Sequence, residues 1–497
     1  MILSRPNLVL ITLDAFGFRL LSDNLDSLPT FKKLTDHGVV FRNAFATGPE
    51  TPFSFPGIIA GAYASSCGVG ISEHLKTIDQ VTAESGYHTA FLGEAQGFLT
   101  PFFGYGRHIS YSRNLLELSP APADKKLEGV FMKKAEPKGA KGRWNPLLNY
   151  VRRKSNSKLG GILATTSRTL KFIQLYTMSN PANYRFKTRL HERFMVELEE
   201  FFRRIFTPPQ FVWIHSMVTH EPYLPYVNTR FSESRINYLN YRGLANLARG
   251  CMKDLKSLYI DSMRTTDEFI ARVIVALEAA GQLDSSIIIL TADHGEEFME
   301  EGFSGHGYLS SSDTLLNVPL IFYAPRMLKE KMVDAAVSTL DILPTVCDML
   351  SVEKPSSARG TSLWSILVND QNATELEGKL RSRTMFSEGW LREDVLDKST
   401  GDKSAERVFV VRMDRYSLRL MQKRRDGDTY QEEYVLRDWI KNQNLDIKEH
   451  HAEFDRLRNL MREHLDRSTR ETVENVAAFT PDEEEELRRR LGDLGYM

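Results

Sequence analysis

The chain has 497 residues, 42% hydrophobic and 26% charged, and its 64 Lys and Arg against 65 Asp and Glu leave a formal net charge of −1. This is the composition of an ordinary globular protein able to bury a large core in one or two domains, and it excludes a disordered chain and a nucleic-acid binder held by bulk positive charge. Three widely spaced cysteines, Cys67, Cys251 and Cys347, build neither a disulfide framework nor a paired-cysteine zinc site and point to a reducing compartment. The first strand pattern begins by residue 7, leaving no room for a signal peptide, and no apolar run reaches the roughly 18 residues of a membrane helix, so a soluble, cytoplasmic protein is expected.

In chain order, Asn7-Leu-Val-Leu-Ile-Thr-Leu-Asp14 is an apolar run that stops at an acid, the pattern of a buried strand in a parallel sheet. A helix over 29–37 closed by Gly38 and a strand over Val39–Phe41 follow. Thr51-Pro-Phe-Ser-Phe-Pro-Gly-Ile-Ile-Ala-Gly61 then has the marks of a helix start, with Thr51 at the N-cap and Pro52 at the first helical position. A hydroxyl there is also where free amides and the macrodipole favour an alkoxide and a tetrahedral anion. A helix from Thr77 to Ser85 closed by Gly86, and a strand His88–Gly93, continue an α/β alternation. An insert spanning about 120–200 interrupts it: residues 125–189 hold 16 Lys or Arg against two Glu. It reads as a solvated excursion over the sheet, or as an electropositive rim that steers an anionic substrate or makes peripheral contact with anionic lipid headgroups. Few clustered aromatics argue against a base-stacking surface.

The strand pattern resumes at Phe211-Val-Trp-Ile214, and His215 within it reads as a core histidine. Apolar residues at helical spacing predict a core helix from Met263 to Ala280. A second apolar run, Ser286–Ala292, ends at Asp293-His294-Gly295. Taken alone, this triplet reads equally well as a turn with an Asx hydrogen bond and a left-handed glycine. Ligands of open α/β sheets bind beyond the carboxyl ends of the strands, so Asp14, Asp293 and His294 are expected to converge. Two carboxylates and an imidazole together are most simply explained by a divalent metal that neutralises their repulsion. Beyond about 385, strands at Arg407–Arg412, Tyr416–Gln422 and Glu433–Asp438 and a helix from Lys448 to Leu465 predict a small antiparallel sheet plus helix. The tail Pro481–Leu491 reads as a solvated surface helix.

These segments, in this order and over nearly the whole chain, resemble the sulfatase branch of the alkaline phosphatase superfamily. Thr51 takes the nucleophile position of the Cys (or Ser)-x-Pro-Ser-Arg motif, Ser54 its serine and Gly61 its closing glycine. Tyr259–Asp267 and Leu283–Glu296 resemble the central signature, His306 the next histidine or lysine, and His220-Glu-Pro-Tyr223 the His-x-Pro loop. The resemblance implies an α/β fold, an alkaline-phosphatase-like doubly wound mixed sheet flanked by helices. It places a catalytic domain over 1–385 and a small α+β subdomain over 386–497.

The departures redirect the chemistry. Sulfatases convert the nucleophile-position Cys or Ser to formylglycine, and threonine cannot yield that aldehyde. Phe53 and Phe55 replace the motif proline and arginine, Ala15 the second acid of the usual Asp-Asp pair, and Gly93-Glu94-Ala95-Gln96 a sulfate-gripping Gly-Lys-Trp-His. A threonine nucleophile is similar instead to phosphoethanolamine transferases, lipoteichoic acid synthases and nucleotide phosphodiesterases of the superfamily, which act on phosphoesters. The resemblance implies Thr51 as nucleophile, His220 and His306 as proton donors, and Asp14, Thr51, Asp293 and His294 as metal ligands. Val218, where relatives place an acid, favours one metal; Mn, Zn, Mg and Ca fit such ligands, with Mn or Zn preferred. Gln96, Tyr105 and Arg107 are the substrate-binding candidates, for an anionic small-molecule, glycan or lipid-headgroup ester. A sulfate ester hydrolase using Thr51 directly and a noncatalytic metal- or glycan-binding relative are the alternatives.

Overall fold

Every side chain of Asn7–Leu13 (β1) is buried, because this strand lies in the interior of an eight-stranded sheet with hydrophobic clusters on both faces. The computed structural model describes residues 5–67, 70–94, 97–114, 181–226, 229–244, 248–307, 310–390, 406–424 and 430–475. Most of the basic insert, the 481–491 tail and Gln96 lie outside these residues. The other strands of the sheet are β2 (Val39–Phe41), β3 (His88–Gly93), β4 (Tyr111–Asn114), β5 (Gln210–Ser216), β6 (Ser286–Ala292), β7 (Leu320–Tyr323) and β8 (Lys331–Val333). Their spatial order is β8-β2-β7-β6-β1-β5-β3-β4. β7 runs antiparallel to both its neighbours and the remaining pairs are parallel, so the sheet is mixed, as expected.

The period-2 geometry of a strand sorts β1 into two cores. Val9, Ile11 and Leu13 face one side, with Phe194 and Leu198 of the Pro181–Arg204 helix and Met263 and Ile270 of the Met252–Ala279 helix. Leu8 and Leu10 face the other, with Phe55, Ile58 and Ile59 of the Thr51–Ala60 helix and Leu343 and Val346 of the Ile342–Leu350 helix. Both faces are covered, so the run is continuously apolar rather than alternating. Each fully buried aliphatic side chain contributes about 1.5–3 kcal/mol relative to exposure.

Register positions the site. Leu13 is level with Ser216 on one neighbour and Ala292 on the other, so Asp14 and Asp293 leave the sheet side by side. The Asp14 amide donates to the Ser216 carbonyl at 3.0 Å, and the Asp293 amide to the Leu13 carbonyl at 3.2 Å.

A separate antiparallel sheet follows, with strands β9 (Met385–Trp390), β10 (Glu406–Met413), β11 (Tyr416–Arg424), β12 (Tyr430–Asp438) and β13 (Gln443–Asn444). Phe409, Val411, Leu418, Leu420 and Leu436 pack from it onto Phe454, Leu457 and Met461 of the His451–Asn475 helix. Two helices differ from their expected bounds. The core helix begins at Met252 rather than Met263, because Leu255, Leu258 and Tyr259 extend its buried stripe. The last helix runs ten residues past Leu465, through a polar stretch that lacks the apolar spacing by which helices are recognised. Among the described residues no helix is long and apolar enough to cross a membrane.

Candidate active site

Thr51 opens a ten-residue helix whose every residue is buried, pointing its start at the carboxyl edge of the sheet. Glu50, not Thr51, is the N-cap; Thr51 is the first helical residue and Pro52 the second. Glu50 is extended and its carbonyl accepts the first helical hydrogen bonds, from the Phe53 and Ser54 amides at 2.9 and 3.0 Å, so the Thr51 hydroxyl has no capping role. Its Oγ1 donates to Asp293 Oδ2 at 3.0 Å and lies 3.4 Å from Asp14 Oδ2. The preceding turn is tied down by Ser54 Oγ donating to the Gly48 carbonyl at 2.6 Å and Thr47 Oγ1 to the Phe53 carbonyl at 3.0 Å.

Asp14, Asp293 and His294 are fully buried, and one ligand atom from each lies within 4.8 Å of the others. Asp293 Oδ1 accepts from the amides of His294 at 2.8 Å and Ala15 at 3.2 Å, which leaves Oδ2 for Thr51. Neither of these is the Asx hydrogen bond of a turn, which reaches two residues on; the Gly295 amide donates to the Leu315 carbonyl instead, at 2.6 Å. His294 Nδ1 donates to the Gly295 carbonyl at 2.8 Å, so its lone pair sits on Nε2. That Nε2 is buried without a hydrogen-bond partner, 3.8 Å from Asp14 Oδ1 and 3.6 Å from Asp293 Oδ2.

The electrostatics fit a cation. Burial raises Asp14, but His220, His215 and His294 more than offset it and hold it below the usual carboxylate range. Burial and the Asp14 charge push Asp293 well above that range, as for any two adjacent buried carboxyls. Burial and His306 drive His294 down to about 3, keeping it neutral as a metal ligand must be. An unpartnered buried imidazole nitrogen, two mutually repelling carboxylates and a hydroxyl make a set that a divalent ion satisfies.

Two further histidines complete the cluster. The His306 ring lies 4.5 Å from that of His294 and 4.9 Å from that of His220. His306 Nδ1 is 3.0 Å from Oε1 of the fully buried Glu296. Burial lowers His306, but Glu296 and Glu221 outweigh it and raise the group to about 10. His220 Nδ1 donates to the Glu221 carbonyl at 2.6 Å, and burial holds this ring below its ordinary value. Burial and Glu296 raise Glu221 to about 7.

The structure also redraws several sequence assignments. His215 is buried in β5, as a core histidine would be, yet its Nε2 lies 3.7 Å from Asp14 Oδ2 while Nδ1 meets Thr12 Oγ1 at 3.0 Å. It belongs beside the site, and its position one residue before the end of β5 was the available signal. Glu296 was another omission; its place two residues after His294 was the clue. Gly295 is not the left-handed residue of this turn. Its added Cβ would meet the Thr314 carbonyl oxygen at 2.5 Å and Gly17 Cα at 3.0 Å, so close packing requires glycine there. A left-handed residue stands instead at the other strand end, where Ala15 follows Asp14 at φ 55° and its carbonyl accepts from Tyr259 Oη at 2.7 Å. Tyr105 is fully buried among Phe55, Phe98 and Trp213 and lines the core, while Arg107 is exposed. Glu94 is closed off by His191 Nδ1 at 2.5 Å, Ser216 Oγ at 2.7 Å and the Met217 amide at 3.0 Å.

The sulfatase family model matches residues 6–352, a span that contains every residue of this cluster. The chain belongs to the sulfatase family. It is 25% identical to an arylsulfatase of Clostridium perfringens over 411 residues, 74% of this chain and 80% of that one. It is 30% identical to mouse arylsulfatase K over 118 residues, 24% of this chain but only 21% of that relative's length. The phosphonate monoester hydrolase of Silicibacter pomeroyi shares the fold of this sulfatase-family chain, with a TM-score of 0.61, 18% identity, and 96% and 98% of the two chains covered.

Proposed function

We propose that this sulfatase-family protein is a metal-dependent hydrolase or transferase of phosphoesters, with Thr51 as its nucleophile and residues 1–385 as its catalytic unit. The hydrogen bond from Thr51 Oγ1 to Asp293 Oδ2 at 3.0 Å, at the start of a buried helix, carries this reading. Asp14, Asp293, His294 and the Thr51 hydroxyl would hold one divalent ion, Mn or Zn by preference. Such an ion supplies Lewis acidity and neutralises the charge of the site.

The side chains divide the remaining work. Asp293 orients the Thr51 hydroxyl. Attack of Oγ1 on phosphorus forms a Thr–O–P bond, passes the hydroxyl proton to Asp293 Oδ2, which already accepts its hydrogen bond, and breaks the bond to the leaving oxygen. His306, kept protonated by Glu296, donates its proton to that oxygen. His220 lies within the same ring cluster and is the second proton carrier. Water or an acceptor alcohol then takes the phosphoryl group as the P–O bond to Thr51 breaks; the acceptor's proton goes to His306, and Asp293 returns its proton to Thr51 Oγ1.

The substrate is an anionic small-molecule, glycan or lipid-headgroup ester. A sulfate ester is the second reading, favoured by the arylsulfatase relatives. The test is a side-by-side assay of metal-reconstituted protein on aryl phosphodiester, phosphomonoester and sulfate monoester, with Thr51→Ala as control. Phosphoester turnover that vanishes in the variant supports the reading; Thr51-dependent sulfate turnover replaces it with the second. Turnover that survives in Thr51→Ala removes the nucleophile assignment.

A further inference from the structure

The antiparallel sheet has two unlike faces. Val411, Leu418 and Leu436 point to the last helix, so alternation turns Arg412 of β10, Ser417 and Arg419 of β11, and Arg437 of β12 the other way. Arg412, Ser417 and Arg437 lie level across three strands. This basic row meets the chain segment that carries His306. Arg412 Nη2 binds Asp313 Oδ1 at 2.6 Å, Arg419 Nη1 binds Glu301 Oε2 at 2.9 Å, and Arg437 Nη1 binds Glu301 Oε1. One carboxylate thus takes a guanidinium on each oxygen, a charge-assisted arrangement that fixes its orientation.

Glu301 sits at the tip of a short hairpin in which Glu297 is paired with Gly305, the residue before His306. Its amide donates to Glu297 Oε1 at 2.8 Å, and Glu297 Oε2 accepts from Ser310 and Ser312 at 2.6 and 3.0 Å. An unbroken run of contacts therefore leads from the sheet through Glu301 and Glu297 to the backbone beside His306. The same sheet also grips the approach to Thr51. In β9, Ser387 Oγ donates to the Ala46 carbonyl at 2.7 Å and the Glu388 amide to the Thr47 carbonyl at 2.8 Å.

We propose that Arg419 and Arg437, acting through Glu301, are positioning residues that hold the His306 hairpin against the Thr51 helix. The inference rests on the assignment of Thr51 as nucleophile and His306 as proton donor. Proton donation matters most when the leaving group is poor, so loosening the hairpin acts selectively.

The experiment compares wild type, Glu301→Gln and Arg419→Lys, metal-reconstituted, by amide hydrogen exchange over 297–306 and by kcat and KM. The substrates are two phosphodiesters of one alcohol, leaving p-nitrophenol or phenol. Glu301→Gln should raise exchange across the hairpin. It should lower kcat for the phenyl ester about tenfold more than for the p-nitrophenyl ester, a partial loss of the roughly 10²–10⁴-fold that general acid catalysis contributes, with KM little changed. Arg419→Lys, which keeps a charge on Glu301, should fall between the two. Unchanged exchange in folded Glu301→Gln, or equal slowing of both esters, overturns the proposal. If wild type turns over neither ester, the assignment of function fails, and the exchange result alone then decides whether the arginines hold the hairpin.

Discussion

Thr51 Oγ1 and Asp293 Oδ2 are 3.0 Å apart although 242 positions separate them in the chain. Two independent pieces of geometry bring them there. Asp293 is delivered by the register of β6 on β1, and its other oxygen is held by two backbone amides. Thr51 is delivered by a helix whose buried face packs Phe55, Ile58 and Ile59 under the same sheet.

Replacing Thr51 with Ala should lower kcat/KM on an aryl phosphodiester by at least about a thousandfold, the scale of losses when a nucleophile is removed. Thr51→Ser keeps the hydroxyl and should retain measurable turnover. Steady-state kinetics on both variants checks this.

Metal removal by a chelator should lower the unfolding temperature, and Mn or Zn at about 100 times its Kd should restore about 2.7 kcal/mol. In Asp293→Asn the buried repulsion with Asp14 is gone, so the metal-free variant should be more stable than metal-free wild type and gain little from added ion. Calorimetry with and without metal separates the two effects.

The metal-free protein should also lose stability in alkali. Glu296 raises folded His306 from 6.5 to about 10 against the cost of burial. A raised pKa contributes stability that is fully present below about pH 6.5 and disappears as pH climbs through about 10. Glu296→Gln should flatten the decline between pH 7 and 10, as measured by denaturant titration at a series of pH values.

Glu94 and His191 are both buried and meet at 2.5 Å. Truncating either to Ala leaves a buried polar partner behind and should cost about 3–5 kcal/mol. Glu94 is enclosed on both oxygens, so KM should change little in any variant that folds. Chemical denaturation and kinetics on the same samples decide it.

Gly295→Ala should destabilise by about 1–3 kcal/mol, the cost of forcing an added carbon into packed structure. Its Cβ would stand 2.5 Å from a backbone oxygen that cannot rotate away. Thermal unfolding of the variant provides the check.

Much of this architecture was legible from local pattern. The apolar runs ending at Asp14 and Asp293 are recognisable because a strand buried on both faces must be continuously hydrophobic. Pro52 and Gly61 bracket a helix because proline suits its first turn and glycine the left-handed residue past its end, here at φ 60°. The family resemblance was equally readable, since it resides in short, ordered motifs around those strand ends. What local pattern does not encode is orientation at the end of an element. His215 reads as core because it lies in an apolar strand, and only the pairing of β5 with β1 reveals that its Nε2 faces Asp14. Tyr105 reads as a pocket residue from its loop, yet it closes an aromatic cluster with Phe55 and Trp213. The arginines that hold Glu301 carry no signal at all, because a charged residue on one face of a strand looks the same whether it meets water or a carboxylate more than a hundred residues away. Which strands and helices exist, and which residue types end them, follows from period and capping within a few residues and is therefore readable along the chain. Which side chains face one another depends instead on strand register and sheet packing, which act between segments that the chain keeps far apart.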